Sequence, residues 1–335
     1  MRKLVYAIMI VFVIISFGCS KPSTIWEAGV NVYFVGYKQW NPRCTTIGAT
    51  LWRNGVLQRL SGEHSVAHGV FVLGDDVYVV GHVFLSESEV RATLWKNGVE
   101  QRLSDEHSSA PSVFVLGDDV YVAGRVLIHA TVWKNGIEQR LSDEMSMAHS
   151  VFVSGDDVYV VGDKSLGEGI SRTILWKNGT EQRLSDENSW VMSVYVYGDD
   201  VYVAGLVGAV ESSRATVWKN GIEQRLSDER SEAYSIFVSG DDVFVAGSIG
   251  EGDYRRATLW VNGAAQSLSD ERSQAASVHV LGDDVYVVGA VDPFRGHFRV
   301  IVWKNGVAQR LDDRSQSETW SRAIFVTRDT AIAYD

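Results

Sequence analysis

The groups in this 335-residue sequence that could do chemistry are mostly carboxylates, and they recur in two forms. Gly-Asp-Asp stands at Gly74, Gly117, Gly155, Gly198, Gly240 and Gly282, and Ser-Asp-Glu recurs as at Ser104-Asp105-Glu106 and Ser142-Asp143-Glu144. Adjacent acids suggest Ca²⁺, but a calcium loop offers several oxygens within one short segment plus a bidentate acid. Repetition points instead to turn formers and to solvated loops with side-chain-to-backbone hydrogen bonds. His64, His68, His107 and His149 could ligate a metal, yet no carboxylate or Cys stands at ligand spacing from them. Gly-x-Ser-x-Gly, His-Glu-x-x-His, a phosphate loop and a partnered Cys nucleophile are all missing. The expectation is a chain with no catalytic residues, no metal and no cofactor.

The elements that carry these groups are repeated. Trp52, Trp95, Trp133, Trp176, Trp218, Trp260 and Trp303 follow one another at spacings of 43, 38, 43, 42, 42 and 43 residues, and each Gly-Asp-Asp lies 22 residues after the preceding Trp. One unit, from Val70, reads Val-Phe-Val-Leu, Gly-Asp-Asp, Val-Tyr-Val-Val-Gly, a variable stretch, Arg-Ala-Thr-Leu-Trp, Lys-Asn-Gly, Val-Glu-Gln-Arg-Leu. Four runs rich in Val, Tyr, Thr and Trp read as four strands. Asn-Gly between two of them predicts a type I′ hairpin, and Gly-Asp a II′-type turn. The inner runs are apolar throughout, as in strands covered on both faces. The last run carries Glu100, Gln101 and Arg102, as a solvated edge does. Four-stranded antiparallel units of about 42 residues, apolar inside and polar outside, predict an all-β, seven-bladed β-propeller over 29–335. A parallel β-solenoid is the rival, and residues 329–335 leave open an incomplete eighth blade. The first strand at Ala323-Ile324-Phe325-Val326 should close the ring on Val32-Tyr33-Phe34-Val35. The repeat Trp residues read as packing between blades, with Arg102-type side chains stacked on them.

The order of elements, a hairpin into Val-Tyr-Val-Val-Gly, a variable loop and a strand ending in a turn, resembles the kelch repeat over about residues 30–327. It departs from that family in having one Gly in place of a pair and its Trp before the turn. The chain is in these respects similar to short-repeat propeller lipoproteins of bacteria. The likeness implies a propeller and no particular reaction. The Ser-x-Asp-x-Gly-x-x-Trp boxes of sialidase propellers are missing, and Cys44 alone does not make the Cys–Tyr site of a kelch-like copper oxidase.

In a four-stranded antiparallel blade, the turns after strands one and three share one side. That side holds the near-identical Gly-Asp-Asp and Lys-Asn-Gly turns, which are structural. The opposite side collects the differences. Two aligned positions vary: Val66, Ser109, Met147, Trp190, Glu232, Gln274 at one, and His68, Pro111, His149, Met192, Tyr234, Ala276 at the other; a longer seventh link brings Trp320 and Arg322. These residues precede the innermost strand and should ring the channel mouth. The candidate ligand-binding residues are therefore His68, His149, Trp190, Met192, Tyr234, Trp320 and Arg322, because exposed aromatics at a mouth suit sugar rings or protein hot spots.

Met1-Arg2-Lys3, the apolar run Leu4–Ile15 and Gly18-Cys19 predict a cleaved signal segment over 1–18, lipidation of Cys19 and a linker over 19–28. An ordinary secretory signal is the alternative. The resemblance to a lipoprotein implies export to a bacterial cell envelope, with membrane contact only through the anchor. The formal net charge is −11, and no Lys/Arg cluster offers a surface for phosphates, which excludes nucleic acid as an expected partner. The expected function is a monomeric, non-enzymatic module that binds a glycan or protein partner. The rivals are a polysaccharide lyase or hydrolase using His68, His149, Tyr234 and loop acids, and a purely structural envelope scaffold.

Overall fold

Each Asn-Gly pair has positive φ at both residues, 49–52° at Asn and 78–84° at Gly, the geometry of a type I′ turn. The Gly of each Gly-Asp-Asp has φ of 57–61° while the Asp after it does not, as a II′ turn requires. With the turns fixed, the four runs of a repeat can only fold back on one another. The computed structural model describes residues 26–39, 46–209, 211–292, 298–310 and 319–329. In it the chain forms seven four-stranded antiparallel sheets, the blades of a β-propeller.

Blades 2 to 7 use consecutive strands. Blade 2, for example, is built from Ser65–Leu73, Asp76–Phe84, Val90–Lys96 and Val99–Arg102. Blade 1 joins the two ends of the chain: Thr319–Arg328 pairs antiparallel with Val30–Gln39, which is followed by Ile47–Arg53 and Val56–Arg59. The expected closure is present and the ring is complete with seven blades. The segment read as a partial eighth blade lies, apart from Asp329, outside the described residues, as do the predicted signal segment, Cys19 and Cys44.

Six repeat tryptophans, Trp95 to Trp303, are at most 1% exposed, and Trp52 is 5% exposed. Each packs with strands of the neighbouring blade; Trp95, for instance, shares a cluster with Tyr33, Leu51, Val70 and Val79. Among the described residues, Arg102, Arg140 and Arg183 on the outer strands are not found over these rings. They pair instead with Asp105, Asp143 and Asp186 three residues on. The turn lysines do lie over rings, such as Lys96 over Tyr78 at 5.0 Å, as do Arg53 over Tyr33 and Arg272 over Phe298.

The turn face is tied together by its own side chains. The Asn97 carboxamide accepts from Val77 N (2.8 Å) and donates to Asp76 (2.7 Å), and Lys96 Nζ reaches the same carboxylate at 2.8 Å. This arrangement repeats in blades 3, 4, 5 and 7. The second Asp of each Gly-Asp-Asp in these blades is thus a turn clamp. In Ser-Asp-Glu the Ser hydroxyl accepts from the Glu backbone N–H, as at Ser104–Glu106 (3.2 Å) and Ser142–Glu144 (3.1 Å).

Blades are joined at the axis by a second set of serines. Ser112, Ser150, Ser193, Ser235 and Ser277 each accept, through Oγ, a hydrogen bond from the backbone N–H of Val151, Val194, Ile236, Val278 and Ile324 on the next inner strand, at 3.2–3.3 Å. Gly69 and Ala323 occupy this place in blades 2 and 1.

Candidate functional site

The variable positions do not precede the inner strands; they belong to them. Ser65–Leu73 already contains Val66 and His68, because the strand continues past the point where its apolar run begins. What sets His68 apart is a β-bulge. The register runs Ala67 opposite Gly81 and then Gly69 opposite Val80, so His68 has no partner. The same shift leaves His149, Met192, Tyr234, Ala276 and Arg322 unpaired in five other blades, and Pro111, which has no N–H to give, falls in the corresponding gap of blade 3. A bulge turns the extra residue out of the ladder, and seven of them at one end of a ring aim seven side chains at the axis.

A glycine near the end of every second strand makes this possible. A β-carbon on Gly81 would lie 1.9 Å from the Val66 carbonyl oxygen, and Gly36, Gly124, Gly162, Gly205, Gly247 and Gly289 face the matching carbonyl at 1.7–2.1 Å. None of the seven has positive φ. Steric room, rather than backbone freedom, dictates glycine here.

Below the rim the channel narrows to a collar. Phe71, Phe114, Phe152, Tyr195, Phe237, His279 and Phe325 touch in a closed ring, each to the next, with centroids 4.5–4.9 Å apart and planes tilted by 46–54°. The seven rim residues, the serine level and this collar enclose a cavity of about 440 Å³. A smaller space of about 170 Å³ continues it outward past Gln274 and Trp320.

Two rim side chains are held by the residue one past the strand-two glycine. His68 Nε2 lies 3.2 Å from His82 Nδ1, and His149 Nε2 is hydrogen-bonded to Asp163 Oδ1. Tyr234 donates to Glu232, which Arg255 pairs at 3.4 Å. Burial, then the charge of Glu232, pushes the Tyr234 hydroxyl pKa up, so it stays protonated. Burial and then His82 and Arg322 hold His68 well below the usual imidazole value; burial and then Arg322 hold His82 at about 4.

Ser171 Oγ donates to Asp163 Oδ2 at 3.2 Å, so Ser, Asp and His stand together on one wall. The order is that of a positioned carboxylate, not a nucleophile triad: the acid sits between the other two and His149 does not reach the hydroxyl.

Six of the seven sequence candidates meet at the mouth: His68, His149, Met192, Tyr234, Trp320 and Arg322 line it. Trp190 does not. It is half-buried beside Leu206, and its carbonyl is the one packed on Gly205. His68 and His149 each face a partner within their own blade, His82 and Asp163, and not one another. Sequence reasoning missed those partners, along with the seventh collar member, His279. The signal was the residue after each strand-two Gly, which differs in all seven repeats: Tyr37, His82, Arg125, Asp163, Leu206, Ser248, Ala290.

Fold and site together define a closed seven-bladed β-propeller with a side-chain-lined cup at one mouth of its axial channel. No protein-family model and no curated protein matches the chain. Among solved structures it resembles the β-propeller domain of the trilobed protease from Pyrococcus furiosus, at 11% identity and a TM-score of 0.55 over 87% of this chain and 94% of that one. A Mycobacterium tuberculosis puromycin-hydrolysing peptidase matches at 12% identity and a TM-score of 0.54, over 83% of this chain and 53% of that one. An acylaminoacyl peptidase from Pyrococcus horikoshii matches at 14% identity and a TM-score of 0.48, over 73% and 45%. The chain thus spans about half the length of these two peptidases. The likeness is one of fold. The P. furiosus propeller is described as having an open velcro topology, whereas here Thr319–Arg328 closes the ring on Val30–Gln39.

Proposed function

We propose that this chain is an exported, lipid-anchored binding module of the kelch-like propeller type that takes a glycan at the channel mouth without turning it over. The observation that carries this reading is the row of seven bulges, which spends a repeated backbone device on presenting seven different side chains to one cavity. A cavity of about 440 Å³ is in the range of small-ligand sites. Its wall alternates apolar surface from Met192, Pro111 and the collar with hydrogen-bonding groups from Tyr234, His68 and His149, the mixture that sugar rings need. Against turnover, Tyr234 retains its proton, and the hydroxyl nearest the His149–Asp163 pair, that of Ser171, is bonded to the carboxylate and not to the imidazole.

A glycan-array screen of the chain from residue 20 onward tests this, with Tyr234→Ala, Trp320→Ala and Trp190→Ala beside it. Binding lost with Tyr234→Ala or Trp320→Ala and kept with Trp190→Ala supports the cup. Release of shortened sugar on incubation would overturn the non-enzymatic reading. Silence across the array would overturn the glycan and transfer the mouth to a protein partner.

A further inference from the structure

The mouth is electrically lopsided. Its acids are committed: Asp163 is bonded to His149 and Ser171, and Glu232 to Tyr234 and Arg255. Its exposed cation is not. Arg322 is the bulged residue of blade 1 and lines both the cup and its outer continuation, and it has no carboxylate partner among the described residues. Elsewhere in this chain of formal charge −11, Arg91, Arg102, Arg140, Arg183, Arg225 and Arg310 hold acids, while Arg214 and Arg256 are bonded to backbone carbonyls. Beside Arg322 stands the His68–His82 pair, which is uncharged near neutral pH and so adds no second cation there. In that pair one imidazole donates to the other, which leaves one N–H and one lone pair for further hydrogen bonds whichever tautomers are present.

We propose that the sugar bound at the cup is an acidic one, a uronic acid residue whose carboxylate pairs with Arg322 while its ring hydroxyls meet His68 and Tyr234. A guanidinium grips a carboxylate through two parallel N–H donors, which fixes orientation as well as charge. Arg322 lies at the rim and the collar at the floor, so the carboxylate stays near solvent and the ring enters first. The inference rests on the glycan reading above and narrows it.

The experiment is calorimetric titration of the chain from residue 20 onward with galacturonate oligomers and, in parallel, galactose oligomers of equal length. Arg322→Gln is the test variant. Arg214→Gln, an arginine bonded only to backbone carbonyls, is the control. Expected is binding of the galacturonate series that weakens about ten-fold or more in Arg322→Gln, weakens with added salt, and is unchanged in Arg214→Gln. Galactose oligomers should bind more weakly and ignore Arg322→Gln. Equal affinity for the two series, or galacturonate binding that survives Arg322→Gln, overturns the acidic-sugar assignment and leaves the glycan cup standing. Failure of both series in the wild-type chain overturns the assignment, and the array decides whether the glycan reading falls with it.

Discussion

Gly81 faces the Val66 carbonyl oxygen so closely that a β-carbon on it would sit 1.9 Å away. That one contact links the repeat's strictest residue to its most variable one. The carbonyl of Val66 is drawn against the second strand, the ladder slips at His68, and the side chain of His68 swings to the axis. Gly81→Ala should therefore destabilise by about 3 kcal/mol, at the high end of overpacking costs because both atoms in the clash are fixed by backbone. Gly62→Ala, with nothing within 4 Å of its added carbon and no positive φ, should be near neutral. Urea unfolding of both variants measures the difference, and equal midpoints would sink the account of the bulge.

The sequence carried the ring and its closure because each depends on local chemistry: Asn-Gly can only make a tight hairpin, and Ala323 to Val326 has the pattern of a missing inner strand. The bulge was not legible in that way. Gly81 looked like the end of a strand, and only the close approach of Val66 shows that it marks a slip in register. His82 and Asp163 were hidden for a related reason. They lie 14 residues from His68 and His149, and a one-residue bulge decides which side chains meet across two strands. Trp190 was singled out for its residue type, but it lines neither the cup nor its outer continuation, whereas Trp320, at the matching place in blade 1, lines the latter.

Five serines at the axis hold neighbouring inner strands together, and two junctions lack one. Ser150→Ala leaves the Val194 N–H without its bond and should cost about 1 kcal/mol. Ala323→Ser is the converse: by the spacing of the other five, its hydroxyl would meet the Val70 N–H at the junction that closes the ring. It should gain roughly 0.5–1 kcal/mol. Thermal unfolding of both variants reads the pair, and a loss of stability in Ala323→Ser would show that the closing junction has a different geometry.

The collar contains a titrating ring. His279 stands between Phe237 and Phe325, at 4.8 and 4.7 Å, where the other blades place Phe or Tyr, and burial holds its imidazole at about 4. A histidine with a depressed folded-state pKa adds stability that is fully present above its unfolded value, near 6.5, and lost as pH falls from there toward 4. His68 and His82 act in the same direction. His279→Phe should therefore narrow the loss of melting temperature between pH 7 and pH 4.5 without abolishing it. An identical loss in wild type and variant would mean that the collar admits the charged ring at no cost.

The closure also orients the molecule. In blade 1 the two chain ends stand where the other blades have Gly-Asp-Asp: Arg328 pairs with Val30, and Asp329 N donates to Gly29 O at 2.8 Å. Both ends therefore leave from the turn face. Upstream, Trp26 packs on the Asn-Gly turn at Gly55, and Glu27 is paired with Lys304. The mouth is at the other end of the inner strand, and the six residues from Arg322 to Arg328 place it about 20 Å away at a rise of ~3.3 Å per residue. If Cys19 carries lipid, residues 20–25 reach at most about 20 Å, and the shortest tether puts the turn face toward the bilayer and the cup toward solvent. A fluorophore on Asp156→Cys, in a Gly-Asp-Asp turn, should then be quenched by spin-labelled lipid in vesicles bearing the anchored protein. One on Ser86→Cys, in a mouth-side loop, should not. Equal quenching at the two sites would mean that the body tumbles on its tether; stronger quenching at Ser86→Cys would put the cup against the membrane and exclude a large glycan from it.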